Sequence, residues 1–237
     1  LTAKITVLTV VLNQANALRE TVQSVFDQSY PNLDFFIVDG GSVDGTLDVI
    51  RSSENHLAGW VSEPDSGIYD AMNKGWSMAS DKGYVLFLGA GDCLLGLPKE
   101  LPVPESRPYI YYGRVMLDGG REFVSHANWR LKLYNSLHHQ GLLIPKKLHP
   151  VPPFDTRCRL YADFDFNQRL MKQGARFRFL PAFSAYASSG GITATTDMRE
   201  MTEIVRENYG LFWWLLSRAG FDLARCLPVL KKLRPIR

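Results

Sequence analysis

Tyr84-Val85-Leu86-Phe87-Leu88-Gly89-Ala90-Gly91-Asp92 is an apolar run that ends abruptly in two glycines and one carboxylate. A run this short, apolar at consecutive positions and rich in aromatic and branched residues, reads as a strand buried on both faces, in the middle of a parallel sheet. Ligands of open α/β sheets collect beyond the carboxyl ends of such strands, which is where Asp92 stands.

The same grammar recurs upstream. Ile5 to Leu12 reads as the first strand, and Leu18, Val22, Val25 and Phe26 follow at helical spacing behind Asn16 as candidate cap, stopping at Tyr30-Pro31. Phe35 to Val38 then breaks into Asp39-Gly40-Gly41-Ser42-Val43-Asp44-Gly45-Thr46 before Leu47, Val49 and Ile50. This βαβα order predicts a parallel sheet with right-handed crossovers. Leu57 to Val61 is a weaker strand leading into Ser62-Glu63-Pro64-Asp65-Ser66-Gly67, and Ile68, Ala71, Met72, Gly75 and Ala79 mark one helix face. Strand ends at Asn13, Asp39 and Asp92, with a loop at Asp65, all deliver polar groups after apolar runs, so residues 1–92 predict a nucleotide-sized site.

Downstream the character changes. Leu97 to Pro108 has four prolines and no period, and Tyr109 to Val124 alternates around Asp118-Gly119-Gly120 as a hairpin. His138-His139-Gln140-Gly141 precedes a short apolar run, Leu142 to Ile144, and Tyr161-Ala162-Asp163-Phe164-Asp165-Phe166 opens a helix that Gly174 should close. From about Asp197, Met201, Ile204, Val205, Tyr209, Phe212, Trp213 and Leu216 recur at helical spacing. Beyond Phe221, Arg225, Lys231, Lys232, Arg234 and Arg237 interleave with apolar residues, a pattern that suits an anionic membrane surface or a helix packed on the domain with a solvated basic edge.

Composition sets bounds on these readings. The chain has 237 residues, 46% of them hydrophobic and 22% charged, an ordinary globular balance with enough apolar material for a sizeable core. A net charge of +3 is too small to imply a nucleic-acid partner. Cys93, Cys158 and Cys226 lack paired spacing, which argues against a disulfide framework or a zinc site and suits a cytoplasmic setting. Ile5 to Leu12 is too brief an apolar run for a signal peptide, and no run is long enough to span a bilayer. The expected organisation is one domain over 1–192, with a nucleotide half (1–92) and an acceptor half (93–192), followed by a basic amphipathic tail (193–237).

Three segments, taken together, resemble family 2 glycosyltransferases with a GT-A fold. They are Asp39 to Thr46, Glu63-Pro64-Asp65-Ser66-Gly67-Ile68-Tyr69-Asp70-Ala71-Met72-Asn73-Lys74-Gly75, and Gly89-Ala90-Gly91-Asp92; Asn13 and Ala162-Asp163-Phe164-Asp165 add to the match. The resemblance covers roughly residues 4 to 192. It implies a mostly parallel, Rossmann-like sheet flanked by helices, and transfer of a sugar from a nucleoside diphosphate, a UDP-sugar, with inversion at the anomeric carbon. The expected acceptor is a glycan or, on the strength of the basic amphipathic tail, a lipid-linked saccharide of surface polysaccharide biosynthesis at the inner face of the cell membrane.

Residue by residue, the resemblance places Thr9 and Asp39 at the base and ribose, with Asn13, Asp65, Lys74 and Gly91 also on the donor side. A carboxylate beside glycines suits an imide N–H and a ring lying on the backbone, although a turn aspartate also bonds its own backbone. For Ser42, Asp44 and Gly45 the structural reading is the stronger. Asp92 corresponds to the last acid of an Asp-x-Asp element that binds Mn2+ or Mg2+ on the diphosphate; here Gly89 replaces the first acid. Asp163 aligns with the general base, its apolar neighbours being expected to raise its pKa, and an N-cap role competes. Asp165 is expected to pair with Arg169. His139 and Gln140 fall on the acceptor side, and adjacent histidines in a strand point apart, so only one should face the site. Gly190 and Gly191 match a late loop over the diphosphate, where serines replace a metal-ligating histidine. Gly89 and that missing histidine leave a second reading open, a nucleotide-sugar or glycan-binding protein whose catalysis has lapsed.

Overall fold

The computed structural model describes residues 2–188 and 198–232, with the side chains of 224–232 outside the description. Strands β1 (Ile5–Val11), β2 (Leu33–Asp39), β3 (Gly59–Ser62) and β4 (Tyr84–Gly89) are interleaved with helices α1 (Ala15–Phe26), α2 (Thr46–Ser53) and α3 (Ile68–Met78). Then come β5 (Cys93–Gly96), β6 (Tyr109–Leu117), β7 (Arg121–Phe123), β8 (Leu142–Pro145), α4 (Ala162–Lys172), β9 (Arg176–Ala187), α5 (Met198–Tyr209) and α6 (Leu211–Lys232). The nine strands form one sheet in the order β3-β2-β1-β4-β8-β6-β9-β5, with β7 hairpinned onto β6. This is the α/β architecture expected of a GT-A fold.

The first four strands are parallel, and register aligns their ends: Val11 pairs with Asp39, and Val10 with Gly89. Asp39, Asn13 and Asp92 therefore emerge along one edge of the sheet. β8 runs antiparallel to both β4 and β6 and splices the nucleotide half to the second half, where β6 and β9 are again parallel.

Alternation along β1 distributes the core. Ile5, Val7 and Val11 pack on one face with Leu18, Val22, Val25, Val49 and Ile50 of α1 and α2; Leu8 and Val10 pack on the other with α3, α4 and α5. On that second face Trp76 is fully buried, stacked on Phe87 at 6.0 Å and edge-on to Phe166 at 5.9 Å. The Lys146 ammonium, 3% exposed, closes α3 by donating to the Trp76 and Ala79 carbonyls, and burial pushes its pKa down.

Three local expectations need correction. α1 begins behind Gln14, not Asn16, and its entry is held from the next loop: Gln14 N–H donates to Thr46 Oγ1 at 3.1 Å and Ala15 N–H to Asp44 Oδ2 at 3.2 Å. A partner distant in sequence thus replaces a local cap. The helix also stops at Phe26, short of Tyr30-Pro31. Thirdly, the tail periodicity crosses a break at Gly210, whose φ of 85° only glycine adopts readily. Met201, Ile204 and Val205 of α5 are buried, whereas Phe212 and Leu216 of α6 point outward.

Candidate active site

Two hollows lie at the strand ends. The deeper, of 290 Å³, is lined on its polar side by Asp92, Asn135, His138, His139, Gln140, Arg159 and Asp163. Tyr69, Met72, Phe123, Tyr161 and Met201 form its apolar wall. The second, of 450 Å³, lies between Asn13 to Ala17, Asp44, Ala90 and Ser188, and shares Ala90 and Ser188 with the first.

Asp92 stands at the join and is 5% exposed. Its Oδ2 accepts from Gly89 N–H at 2.7 Å and Gln140 Nε2 at 2.8 Å, and its Oδ1 from Ser188 N–H at 3.0 Å. The turn that makes this possible uses Gly91 at φ 95°, whose N–H donates to Thr21 Oγ1. Gln140 is in turn oriented by His138, whose Nδ1 lies 2.6 Å from Gln140 Oε1.

Asp163 lies across the deeper hollow, on the first turn of α4, and is 6% exposed. Its Oδ1 accepts from Phe164 N–H at 2.8 Å and lies 3.3 Å from the Tyr69 hydroxyl, whose proton goes to the Leu160 carbonyl at 2.7 Å. Oδ2 takes His139 Nδ1 at 3.2 Å and Asn135 Nδ2 at 3.5 Å. Burial alone pushes this carboxyl up, but the hydrogen bond and charge of His139, with help from His138 and the Phe164 N–H, outweigh it and hold the pKa below 3.8. The expected net rise is therefore corrected: hydrogen bonds to the charged form win over desolvation. Burial likewise depresses His139, and Asp163 overrides it, so the imidazole titrates above 6.5. His138 is pushed below 6.5 by burial and by its neighbour.

His138 precedes and His139 opens a 3-10 turn, His139–Gly141, instead of lying in a strand, and both line the hollow. The expectation that only one would face the site fails because a turn, unlike a strand, does not alternate its side chains across a sheet. Asp163 is not the helix cap either; Tyr161 occupies that position, and Glu200 Oε1 of α5 accepts from the Leu160 and Tyr161 N–H groups, both at 2.9 Å. Asp165 does pair with Arg169, at 2.8 Å.

On the donor side, Asp39 is fully buried and accepts from the Gly41 and Ser42 N–H groups and from the hydroxyls of Ser42 and Ser62. Asn13 takes a positive φ of 52°; its Oδ1 accepts from Val43 N–H at 2.8 Å and its N–H donates to Ser42 Oγ at 2.7 Å. These bonds weld the loops after β1 and β2 into one rim. Asp65 accepts from Gly67 N–H, and Lys74 is held by Glu63 at 2.9 Å and by the Pro64 carbonyl. Neither lines either hollow. Thr9 lies fully buried in β1 and lines neither hollow. Gly190 and Gly191 lie outside the described residues. Sequence reasoning assigned no role to Tyr69, Asn135 or Arg159; Tyr69 at least stood inside a recognised segment, whereas the other two carry no local signature.

With this geometry in place, similarity to known proteins becomes informative. Residues 6–167 match the family model described as Glycosyl transferase family 2. The chain belongs to that family. A PGL/p-HBAD biosynthesis glycosyltransferase of Mycobacterium tuberculosis is 30% identical over 207 residues, covering 80% of this chain and 78% of the relative. A putative teichuronic acid biosynthesis glycosyltransferase, TuaG of Bacillus subtilis, is 36% identical over 93 residues, 37% of this chain and 36% of that one. Among solved structures, residues 1–349 of Staphylococcus aureus TarS with UDP superpose with a TM-score of 0.63 at 18% identity, covering 87% of this chain and 66% of that one. The chain spans 38% of a longer TarS structure. The mannosyltransferase PcManGT of Pyrobaculum calidifontis, solved with GDP-Man and Mn2+, gives 0.59 at 20% identity over 79% and 57% of the two chains. These superpositions establish the shared fold of this glycosyltransferase.

Among the described residues no three His, Cys, Asp or Glu side chains come together as a metal cage. Asp92 nevertheless fits a hard cation as its one protein ligand within that set. Its Oδ1 accepts a single hydrogen bond and keeps a lone pair, and such ions take their other oxygens from phosphate and water.

Proposed function

We propose that this family 2 enzyme is an inverting glycosyltransferase that moves a sugar from a UDP-sugar to a hydroxyl of a glycan or lipid-linked saccharide during surface polysaccharide or glycolipid assembly. The observation that carries it is the opposition of two buried, fully oriented carboxylates, Asp92 and Asp163, across one hollow at the carboxyl edge of the sheet. The nucleotides bound by TarS and PcManGT support a nucleoside diphosphate donor, and the names of the mycobacterial and Bacillus relatives support the acceptor class.

In this reading residues 1–92 hold the donor and 93–192 the acceptor. Asp39 and Asn13 shape the rim against which base and ribose lie, with Asp65 and Lys74 flanking it, and Gly91, Gly190 and Gly191 let backbone approach the diphosphate. Mn2+ or Mg2+ held by Asp92 would supply Lewis-acid stabilisation of the departing diphosphate. Gln140 and the Ser188 N–H keep the Asp92 carboxylate aimed. Asp163 acts as the general base that takes the proton of the acceptor hydroxyl on the opposite face. The tail attaches the enzyme to the anionic cytoplasmic face of the membrane.

The test is nucleotide release from a panel of UDP-, GDP- and dTDP-sugars by the purified chain, with and without Mn2+. Release and transfer with a UDP-sugar are expected. An inert protein across the panel rejects the proposal, and a strict GDP-sugar preference rejects its donor assignment.

A further inference from the structure

Arg159 is the cation of the deeper hollow whose charge no described residue answers. Its backbone is pinned from the C-terminal side: Glu200 Oε1 accepts from the Leu160 and Tyr161 N–H groups, both at 2.9 Å, and the Leu160 carbonyl accepts from Tyr69 OH at 2.7 Å. The acids closest to it in sequence are committed elsewhere. Asp155 pairs with Arg157 at 2.6 Å and Asp165 with Arg169 at 2.8 Å, while Asp163 takes His139 and Asn135. Among the described residues the Arg159 guanidinium therefore has neither a hydrogen bond nor an ion pair. It is exposed, and it is the one Lys or Arg among the described residues that line the hollow. A guanidinium is a planar fork of N–H donors that stays charged, so a head left unpaired on an anchored segment suits a carboxylate or phosphate brought in by a ligand.

We infer that Arg159 binds an anionic group of the acceptor, a carboxylate or a phosphate, an assignment that rests on the glycosyl-transfer reading and narrows its acceptor to acidic saccharides. Two anions enter this hollow in that reading, the donor diphosphate and a charge on the acceptor, and the position of Arg159 separates them. Asp92, on the diphosphate side, stands where the two hollows join and is held by Gly89, Gln140 and Ser188. Arg159 enters with Leu160 and Tyr161 from the loop before α4, four residues ahead of Asp163. An inverting displacement brings the acceptor hydroxyl in on the face opposite the leaving diphosphate, so the segment that carries the base also faces the acceptor.

The neighbours of Arg159 fit such a ligand. Phe123, Tyr161 and Met201 line the same hollow and offer apolar surface to the carbon face of a sugar ring, with Phe123 fixed edge-on to His138 at 4.9 Å. An acceptor lying on that surface gains affinity from the ring and selectivity from the charge. Two sources supply the anion: the carboxylate of a uronic acid, or the phosphate that joins a saccharide to its lipid.

Matched pairs of small acceptor probes test this. p-Nitrophenyl glucuronide is compared with p-nitrophenyl glucoside, and glucose 1-phosphate with methyl glucoside, by calorimetry on the full chain saturated with UDP and Mn2+ so that the donor side is filled. The charged member of at least one pair should bind about 10- to 100-fold more tightly than its neutral partner, the range for a hydrogen-bonded charge pair, and the preference should shrink as salt rises. A preference in the glucuronide pair alone assigns the carboxylate, and one in the phosphate pair alone assigns the lipid-linked phosphate. Arg159→Gln should bring the charged probe down to the level of the neutral one, and Arg159→Lys should keep part of the preference, with UDP affinity as in wild type for both. Equal binding of charged and neutral probes by wild type overturns the inference, as does an undiminished preference in Arg159→Gln. A tenfold loss of UDP affinity in Arg159→Gln also overturns it, because the guanidinium then belongs to the donor diphosphate. Neither variant removes a bond seen among the described residues, so their melting temperatures should match wild type, and the wild-type comparison is decisive without them. A wild type that releases nucleotide from no sugar donor overturns the transfer reading, whereas a chain that transfers sugar but shows no preference for charge overturns only the role of Arg159.

Discussion

At the scale of single residues, the His138-His139-Gln140 turn joins the two acids of the site, reaching Asp163 through His139 and Asp92 through Gln140. The His139–Asp163 pair also has a pH signature in stability. Asp163 is depressed on folding, so its contribution is complete above 3.8 and is lost as pH falls through its folded value. His139 is raised, so its contribution is complete below 6.5 and is lost as pH rises through its folded value. Urea denaturation of wild type and His139→Ala across pH should therefore show the widest gap between 3.8 and 6.5, narrowing on both sides. Tyr69→Phe removes the hydroxyl that donates its one proton to the Leu160 carbonyl at 2.7 Å. It should cost about 1–3 kcal/mol of stability by denaturant titration, the penalty for leaving a buried acceptor unpaired.

At the scale of elements, the second half of the sheet depends on how closely β6 and β9 approach. A Cβ on Gly113 would lie 2.3 Å from the Phe183 carbonyl oxygen and 2.8 Å from its carbon, so backbone, not a movable side chain, is in the way. Gly113→Ala should destabilise by about 1–3 kcal/mol or more, as overpacking does, and circular dichroism melts with nucleotide-binding assays would show whether β8 and the histidine turn loosen with it. Gly75 sits on α3 where the helix crosses β1, with Leu8 and Val38 at 3.4–3.5 Å from a Cβ placed there, a tight contact but one that side chains can relieve. Gly75→Ala should therefore be the milder of the two.

At the scale of the whole molecule, α6 has two unlike faces. Trp213 and Ser217 turn inward, Ser217 Oγ donating to the Leu133 carbonyl at 2.6 Å and Trp213 lying under the Lys132 ammonium at 4.7 Å. Leu211, Phe212, Leu215, Leu216 and Leu223 turn outward, with Phe212 at 67% exposure. No helix among the described residues is long and apolar enough to cross a membrane. An exposed apolar stripe continued in sequence by Arg225, Lys231, Lys232, Arg234 and Arg237 matches an interfacial helix on anionic lipid. In flotation, the full chain should rise with vesicles containing phosphatidylserine and rise less as salt increases. Combined Phe212→Ser and Leu216→Ser should abolish flotation; equal flotation of variant and wild type would reject the membrane role.

Much of the architecture was legible in the chain alone, and for a physical reason. Strands β1, β2 and β4 are short apolar runs whose ends carry Asn13, Asp39 and Asp92, and parallel register converts those three sequence positions into one edge. The Asp165–Arg169 pair and the Gly174 stop follow from helix spacing and positive φ, both local. What the chain did not reveal is set by contacts between elements distant in sequence. Asp44 and Thr46 cap α1 from the next loop, and Glu200 of α5 caps the start of α4. The opening run is a case of both. Sequence alone determined that Tyr84 to Asp92 is a buried strand ending in a carboxylate, because apolar periodicity and glycine punctuation are local properties. Only the tertiary structure decided what that carboxylate meets, Gln140 and Ser188 on one side and the His139–Asp163 pair across the hollow, because hydrogen-bond partners are chosen by packing in space.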